Sequence, residues 1–238
     1  MTQENKNTLD LLEKRYFKRD KTTGSLIEHS WSDIAKRVSE SIAQAEENID
    51  AYSKLFYDMI NSMEFIPSTP CLVNANRDKT GQLSSCFIID MKDNIESIYN
   101  ANSELAKIFQ KNGGAGFDIS VLRPEGASVE TSKGYSCGVV GFMEIFDKTA
   151  DVVTRNNTRK GAIKVDLAVW HPDIYKFIHC KDDITKLNNM NISVSITDEF
   201  MKAVERDSYW DLIFPDYLIC KDVYNREWDG DIDEWLLN

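Results

Sequence analysis

The chain has 238 residues, 42% hydrophobic and 28% charged, enough apolar material for a packed core that needs no disulfide scaffold. With 28 basic against 39 acidic residues its formal net charge is −11, so the surface repels phosphate polymers and nucleic acid is not an expected partner. Five cysteines, an odd number with no CxxC pair, argue against a secreted disulfide framework and against a thiolate metal site.

The opening stretch MTQENKNTLDLLEKRY lacks the apolar run of a signal peptide, and no later window reads as a membrane span. A reducing cytoplasm and no membrane partner are therefore expected. Leu9, Leu11, Leu12 and Tyr16 form an apolar stripe, followed by the polar KRDKTTGSLIEHS. From Trp31, the positions Ile34, Val38, Ile42 and Ala45 recur at helical spacing. A third helix, from Ala51 to Met63, ends near FIPSTP, where prolines forbid its continuation. Residues 1–66 are thus read as an N-terminal helical domain.

From residue 67 to 238 the texture alternates. SSCFIID (84–90) suits a buried strand, and a helix from Asp93 stops at Asn112-Gly113-Gly114. GFDISVLR (116–123) predicts a strand, then comes a Gly/Ser/Thr-rich loop to about Gly138, then an amphipathic helix over 140–153. AIKVDLAVW (162–170) and ISVSIT (192–197) read as strands, HPDIYKFI (171–178) and DEFMKAV (198–204) as short helices. This alternation predicts an α/β architecture with parallel strands. The closing YNREWDGDIDEWLLN starts another helix; either its Trp-Leu-Leu face is covered by something else or the helix frays.

The chemistry-bearing stretch is PSTPCLVNANRDKTGQLSSCFI (67–88). Thr69, Ser85 and nearby backbone amides are able to hold a phosphate without net positive charge. Composition alone favours an ordinary buried cysteine at 86. KNGGAGFDISVLRP (111–124) places three glycines where a helix turns into a strand, but it lacks the order of a P-loop or a dinucleotide fingerprint.

The ordered series PSTP, QLSSCFI, GGAGF, LRP, RKGA, WHPDI, NISVSIT and FMKAV resembles the ribonucleotide reductase catalytic (large) subunit, from about Leu9 to Trp235. The style of EKRYFKRDKTTGSLIE and AQAEENID is closer to the adenosylcobalamin-dependent class than to the di-iron class. The resemblance implies an N-terminal helical segment followed by part of the first half of a ten-stranded α/β barrel. It also implies that Cys86 delivers hydrogen at the ribose C2′ and ends in a disulfide with a second cysteine. Thr69, Ser85, Gly113, Gly114 and Arg159 then match substrate-holding positions.

The same resemblance implies a specificity site for a deoxynucleotide or ATP effector. Asp93 would bond the effector's ribose hydroxyl, Arg123 its phosphate, and Asn156, Asn157 and Lys160 belong to a second loop that relays effector identity to the substrate. From the residues alone, a plain helix cap is the preferred reading of Asp93, and a solvated basic turn the alternative for Arg159 and Lys160. Asn94, where serine is common, and Glu130, near where some relatives carry an arginine, depart from the family pattern.

The family's helices at about 94–111 and 140–153 pair across a homodimer. Its reaction also needs a ribonucleotide substrate, an external thiol reductant and a radical cysteine in an N-x-C-x-E setting, and none of Cys71, Cys137, Cys180 or Cys220 has that setting. The expectation is therefore an incomplete subunit, inactive alone and completed by a second polypeptide that carries the radical cysteine and most of the adenosylcobalamin surface. The competing expectations are a catalytically inactive nucleotide-binding regulator and a nonfunctional fragment.

Overall fold

A computed structural model describes residues 6–76, 81–129, 132–155 and 161–215. The chain falls into two compact units, Met1–Ser85 and Cys86–Asn238. The boundary drawn from the sequence at 66/67 lies earlier, because the PSTP segment joins the helical core.

The first unit contains α1 (Lys6–Arg15), α2 (Trp31–Ile42), a 3-10 turn (Ala43–Ala45), α3 (Ile49–Asn61) and α4 (Thr69–Asn74). Ser30 caps α2, its hydroxyl accepting from the Asp33 amide, and Asn48 caps α3 in the same way. α2 and α3 pack together, and their core gathers Leu12, Phe17, Trp31, Ile34, Val38 and Ile60. α4 was not anticipated. Pro70 ends nothing here; it sits in the first turn of a new helix, where a missing N–H is harmless. Cys71, Leu72 and Ala75 bury against the α2 side of this core, which is why the unit extends to Ser85.

The second unit is built on four parallel strands: β1 (Cys86–Ile88), β2 (Gly114–Asp118), β5 (Ile163–Ala168) and β6 (Met190–Ser195), in the order β1-β2-β5-β6. Parallel neighbours need crossovers. α5 (Ile95–Gln110) joins β1 to β2, α6 (Gly138–Val153) leads into β5, and α7 (Ile174–His179) joins β5 to β6. A small antiparallel pair, β3 (Ser128–Val129) and β4 (Gly134–Tyr135), stands between β2 and α6, and α8 (Asp198–Glu205) follows β6.

Alternation along the strands decides the two faces of the sheet. Ala115 and Phe117 of β2, and Ile163, Val165 and Leu167 of β5, are buried in one cluster with Leu105 and Phe109 of α5 and Met143 and Phe146 of α6. Phe117 stacks on Phe146 at 4.8 Å between ring centroids. Each such side chain contributes about 1.5–3 kcal/mol on leaving water. The barrel is not closed within these residues: the strands make an open sheet, an α/β domain consistent with part of a barrel.

Candidate functional site

The other face of the sheet is set by register. Cys86 lies beside Gly114, Ile88 beside Gly116, Gly116 beside Lys164, Lys164 beside Asn191 and Asp166 beside Ser193. Paired residues project to the same side, so these positions form one row-by-row surface that is polar or glycine except for Cys86 and Ile88. Cys86 is exposed, and so are Asp118, Lys164 and Asn191; Ile88 is 87% exposed. Parallel sheets are ordinarily covered on both faces. Among the described residues this face is polar and partly exposed rather than apolar core.

Cys86 is not the ordinary buried cysteine that composition favours. Its contrast is Cys71, buried in the helical unit, whose thiol is pushed up in pKa by desolvation against a smaller opposing pull from Arg37. The glycines also differ from expectation. Gly114 and Gly116 are strand residues rather than turn residues, and Gly114 leaves backbone without a side chain next to the Cys86 sulfur. Gly113 has a packing role. α5 ends in a Schellman motif, with Asn112 at φ 60° and the Gly113 amide donating 3.0 Å to the Ile108 carbonyl. A Cβ on Gly113 would stand 2.6 Å from Ile108 Cγ2 and 3.3 Å from Phe87 Cε2, so only glycine fits.

Thr69 and Ser85 belong to the first unit. Thr69 is exposed as the first residue of α4, with its hydroxyl 3.4 Å from that of Tyr16. Ser85 is half-buried and directly precedes Cys86 in sequence. Asn156, Asn157, Arg159 and Lys160 lie outside the described residues, as do Glu130 and Cys220. The ends of the 156–160 segment are described: the Gly161 amide donates 3.1 Å to the buried Thr154 hydroxyl. Gly161 then leads through Ala162 into β5, whose Ile163 pairs with Ala115, one residue beyond the partner of Cys86. The segment therefore starts and stops at the Cys86 end of the sheet.

The opposite, C-terminal end of the sheet brings Asp93 and Arg123 into contact. Arg123 Nε donates 2.7 Å to Asp93 Oδ2, its backbone amide 3.2 Å to Oδ1, and the guanidinium also reaches the Asp93 and Ser128 carbonyls. Both side chains are largely buried, 17% and 10% exposed. Asp93 is not the helix cap: α5 starts at Ile95 and Asn94 caps it, accepting 2.8 Å from the Ser97 amide. Asparagine caps as well as serine does, so the departure at 94 preserves the helix start.

Sequence reasoning missed two neighbours of this end. His171 is fully buried; its Nδ1 accepts from the Asp173 amide at 3.0 Å, which leaves Nε2–H to donate 2.8 Å to the Leu122 carbonyl. Burial pulls its pKa below the ordinary histidine value, opposed by that bond and by nearby carboxylates. Asp173, 6% exposed, accepts from the amides of Glu125 and Val139. The signal was His-Pro-Asp directly after an apolar strand, a place where a buried polar pair must find partners.

The parallel sheet and its crossover helices form an α/β scaffold with an exposed thiol at one end and a carboxylate–guanidinium pair at the other. Residues 84–236 match the family described as ribonucleotide reductase, barrel domain, and residues 3–80 match its all-alpha domain. The chain belongs to the ribonucleotide reductase large-subunit family. It is 42% identical over 186 residues to a vitamin B12-dependent ribonucleoside-diphosphate reductase of Thermoplasma acidophilum, covering 77% of this chain and 24% of that protein. A Mycobacterium tuberculosis protein of the same name is 32% identical, covering 78% of this chain and 28% of its own length. A Helicobacter pylori ribonucleoside-diphosphate reductase subunit alpha is 35% identical, covering 76% and 23%. The chain thus spans about a quarter of the length of the relatives it matches. Among the described residues, no helix is long and apolar enough to cross a membrane.

Proposed function

We propose that this chain supplies the ribose-reducing thiol and the effector-binding end of a ribonucleotide reductase, with Cys86 as the reducing cysteine. The observation that carries the reading is the exposed Cys86, paired in register with the side-chain-free Gly114, at the sheet end where Gly161 leads into β5. Replacing a C2′ hydroxyl by hydrogen consumes two electrons and two protons, which two thiols provide as they become a disulfide and water departs. A strand-held sulfur is oriented in advance for that step. Thr69, Ser85, Gly114 and Arg159 are proposed to hold the substrate, with Gly113 keeping the α5-to-β2 corner tight.

Asp93 and Arg123, with Asn156, Asn157 and Lys160, are proposed as the effector site. The Asp93–Arg123 pair supports it: a carboxylate of the kind that bonds sugar hydroxyls and a guanidinium of the kind that bonds phosphate stand side by side. The reaction also needs the radical cysteine, a second cysteine for Cys86 and a radical generator. These are proposed to come from residues beyond this sequence, on the same chain or on a second polypeptide.

Adenosylcobalamin is proposed as the radical source, after the names of two of the relatives. The described residues do not fit that cofactor. The open groove along α6, about 510 Å³ and lined by Gly141, Glu144, Ile145, Lys148 and Val152, has one helix as its wall and cannot sandwich a macrocycle.

The test uses the chain mixed with the complementary part of the subunit, adenosylcobalamin, a dithiol and each ribonucleotide. Reduction is expected, and Cys86→Ser should abolish it while dATP, dTTP or dGTP still binds. Full reduction by the serine variant would refute the assignment of Cys86.

A further inference from the structure

We propose that Asp173 is a positioning residue whose one carboxylate closes both ends of the segment carrying β3 and β4, and so sets the geometry of the nucleotide site at Asp93 and Arg123. The inference rests on the effector reading above. At the entry to the segment, the Glu125 amide donates to both oxygens, at 3.2 and 3.0 Å. At its exit, the Val139 amide donates 3.1 Å to Oδ2. Residues 125 and 139 are far apart in sequence, yet one buried side chain satisfies both.

Neighbouring contacts fit that role. Gly138 has φ +71°, and a Cβ there would stand 2.5 Å from Asp173 Oδ2 and 2.8 Å from the Glu125 amide nitrogen, so the close approach requires glycine. Lys176 pairs with the Glu125 carboxylate, which ties the same corner to α7. The Gly126 amide donates to the Ser136 carbonyl and the Ser136 amide to Ala127, so the two sides of the segment meet just above the clamp. Arg123 sits two residues before the clamped amide and bonds Ser128 within the segment. If the base of the segment opens, Arg123 loses the carbonyl that aims its guanidinium. Asp173 itself touches neither Asp93 nor Arg123, so its influence passes through the backbone it holds.

The same clamp fixes the start of α6, whose far end is tied by Thr154 to Gly161.

The experiment uses the full chain, calorimetry with dATP, dTTP and dGTP, and amide hydrogen exchange without nucleotide. Asp173→Ala should weaken nucleotide binding roughly tenfold or more, because two buried amides lose their acceptor. Asp173→Asn keeps one oxygen within reach of both amides and should recover most of that loss. Val165→Ala, which loosens the same core away from the clamp, should bind as the unaltered chain does. The Glu125 and Val139 amides should exchange at least roughly tenfold faster in the alanine variant. Unchanged affinity and unchanged exchange in Asp173→Ala would overturn the proposal. Should that variant fail to fold, Asp173→Ser, which is too short to reach both amides, decides: faster exchange at Glu125 and Val139 supports the clamp, and the original rates there refute it. A chain that binds none of the three nucleotides removes the effector reading instead, and exchange at Glu125 and Val139 still judges Asp173.

Discussion

At the scale of single residues, His171 concentrates more consequence than its sequence neighbourhood suggests. It is sealed among Trp170, Phe214 and the turn after β2, with both ring nitrogens engaged by backbone. Protonation would place a second donor against the Asp173 amide, which already donates to Nδ1. Its pKa in the folded chain is lowered from about 6.5, chiefly by burial. The unfolded chain therefore binds more protons in the window just below that value, and stability must fall as pH drops through it. The carboxylates Asp20, Asp33, Asp151 and Asp183 are held below 3.8 by hydrogen bonds, so whatever they contribute is lost only at more acid pH. Urea midpoints should decline between about pH 7 and pH 5 in the unaltered chain. His171→Gln should flatten that decline while lowering the plateau. An equally steep decline in the variant would show that another group is responsible.

At the scale of elements, the helical unit depends on one buried pair. Arg37 of α2 donates to both oxygens of Glu28, and also 2.8 Å to the Ala75 carbonyl and 3.0 Å to Leu72 at the end of α4. Glu28 in turn accepts from the Lys18 amide. One ion pair therefore joins the 18–28 turn, α2 and α4, which carries Thr69. Removing either partner should destabilise the unit by about 3–5 kcal/mol, since a charge is left buried and unpaired. A paired Glu28→Leu, Arg37→Met replacement should remain destabilised as well, because the Lys18 amide and two carbonyls are then orphaned at about 1–3 kcal/mol each. Urea denaturation followed by circular dichroism gives both numbers; wild-type stability in the double variant would show those backbone groups finding water.

Periodicity revealed α2, α3, α5 and α6 within a few residues, and the apolar runs revealed β5 and β6, because those signals are local. α4 was invisible, since Ser-Thr-Pro reads as a stop when only the preceding helix is considered. The clamp at Asp173 and the pair at Arg37 were illegible for a different reason. Asp173 meets Glu125 across 48 residues, and Arg37, nine residues from Glu28, also reaches the Ala75 carbonyl across 38, contacts that nothing local announces. Cys86 was singled out through the family resemblance, whereas its exposure, which separates it from the buried Cys71, is set by the folded chain and not by local sequence.

At the scale of the whole molecule, the open question is what covers the outer faces of α5 and α6. The two helices pack together and bury one side of each against the sheet. Away from it stand Ile95 and Tyr99, 62% and 52% exposed, and Val152 at 55%. Large apolar groups in that density on a surface pair of helices are typical of an association site. Each helix has 16 residues, about 24 Å of length and about 10 Å of width. Together they present on the order of 500 Å² in plan, and more at atomic roughness, which approaches the ~800 Å² per partner of a stable interface. A second copy of the same face would satisfy the symmetry of a two-fold dimer without any further surface. Such a dimer would bring two sets of Asp93 and Arg123 near the same seam, because both residues adjoin the start of α5. Sedimentation of the chain should therefore show a dimer, and Tyr99→Asp combined with Val152→Asp should shift it to monomer with the circular dichroism unchanged. Nucleotide should strengthen the dimer of the unaltered chain if its site lies at that seam. A chain that stays monomeric at every accessible concentration, with or without dATP, would assign these faces to a different covering element.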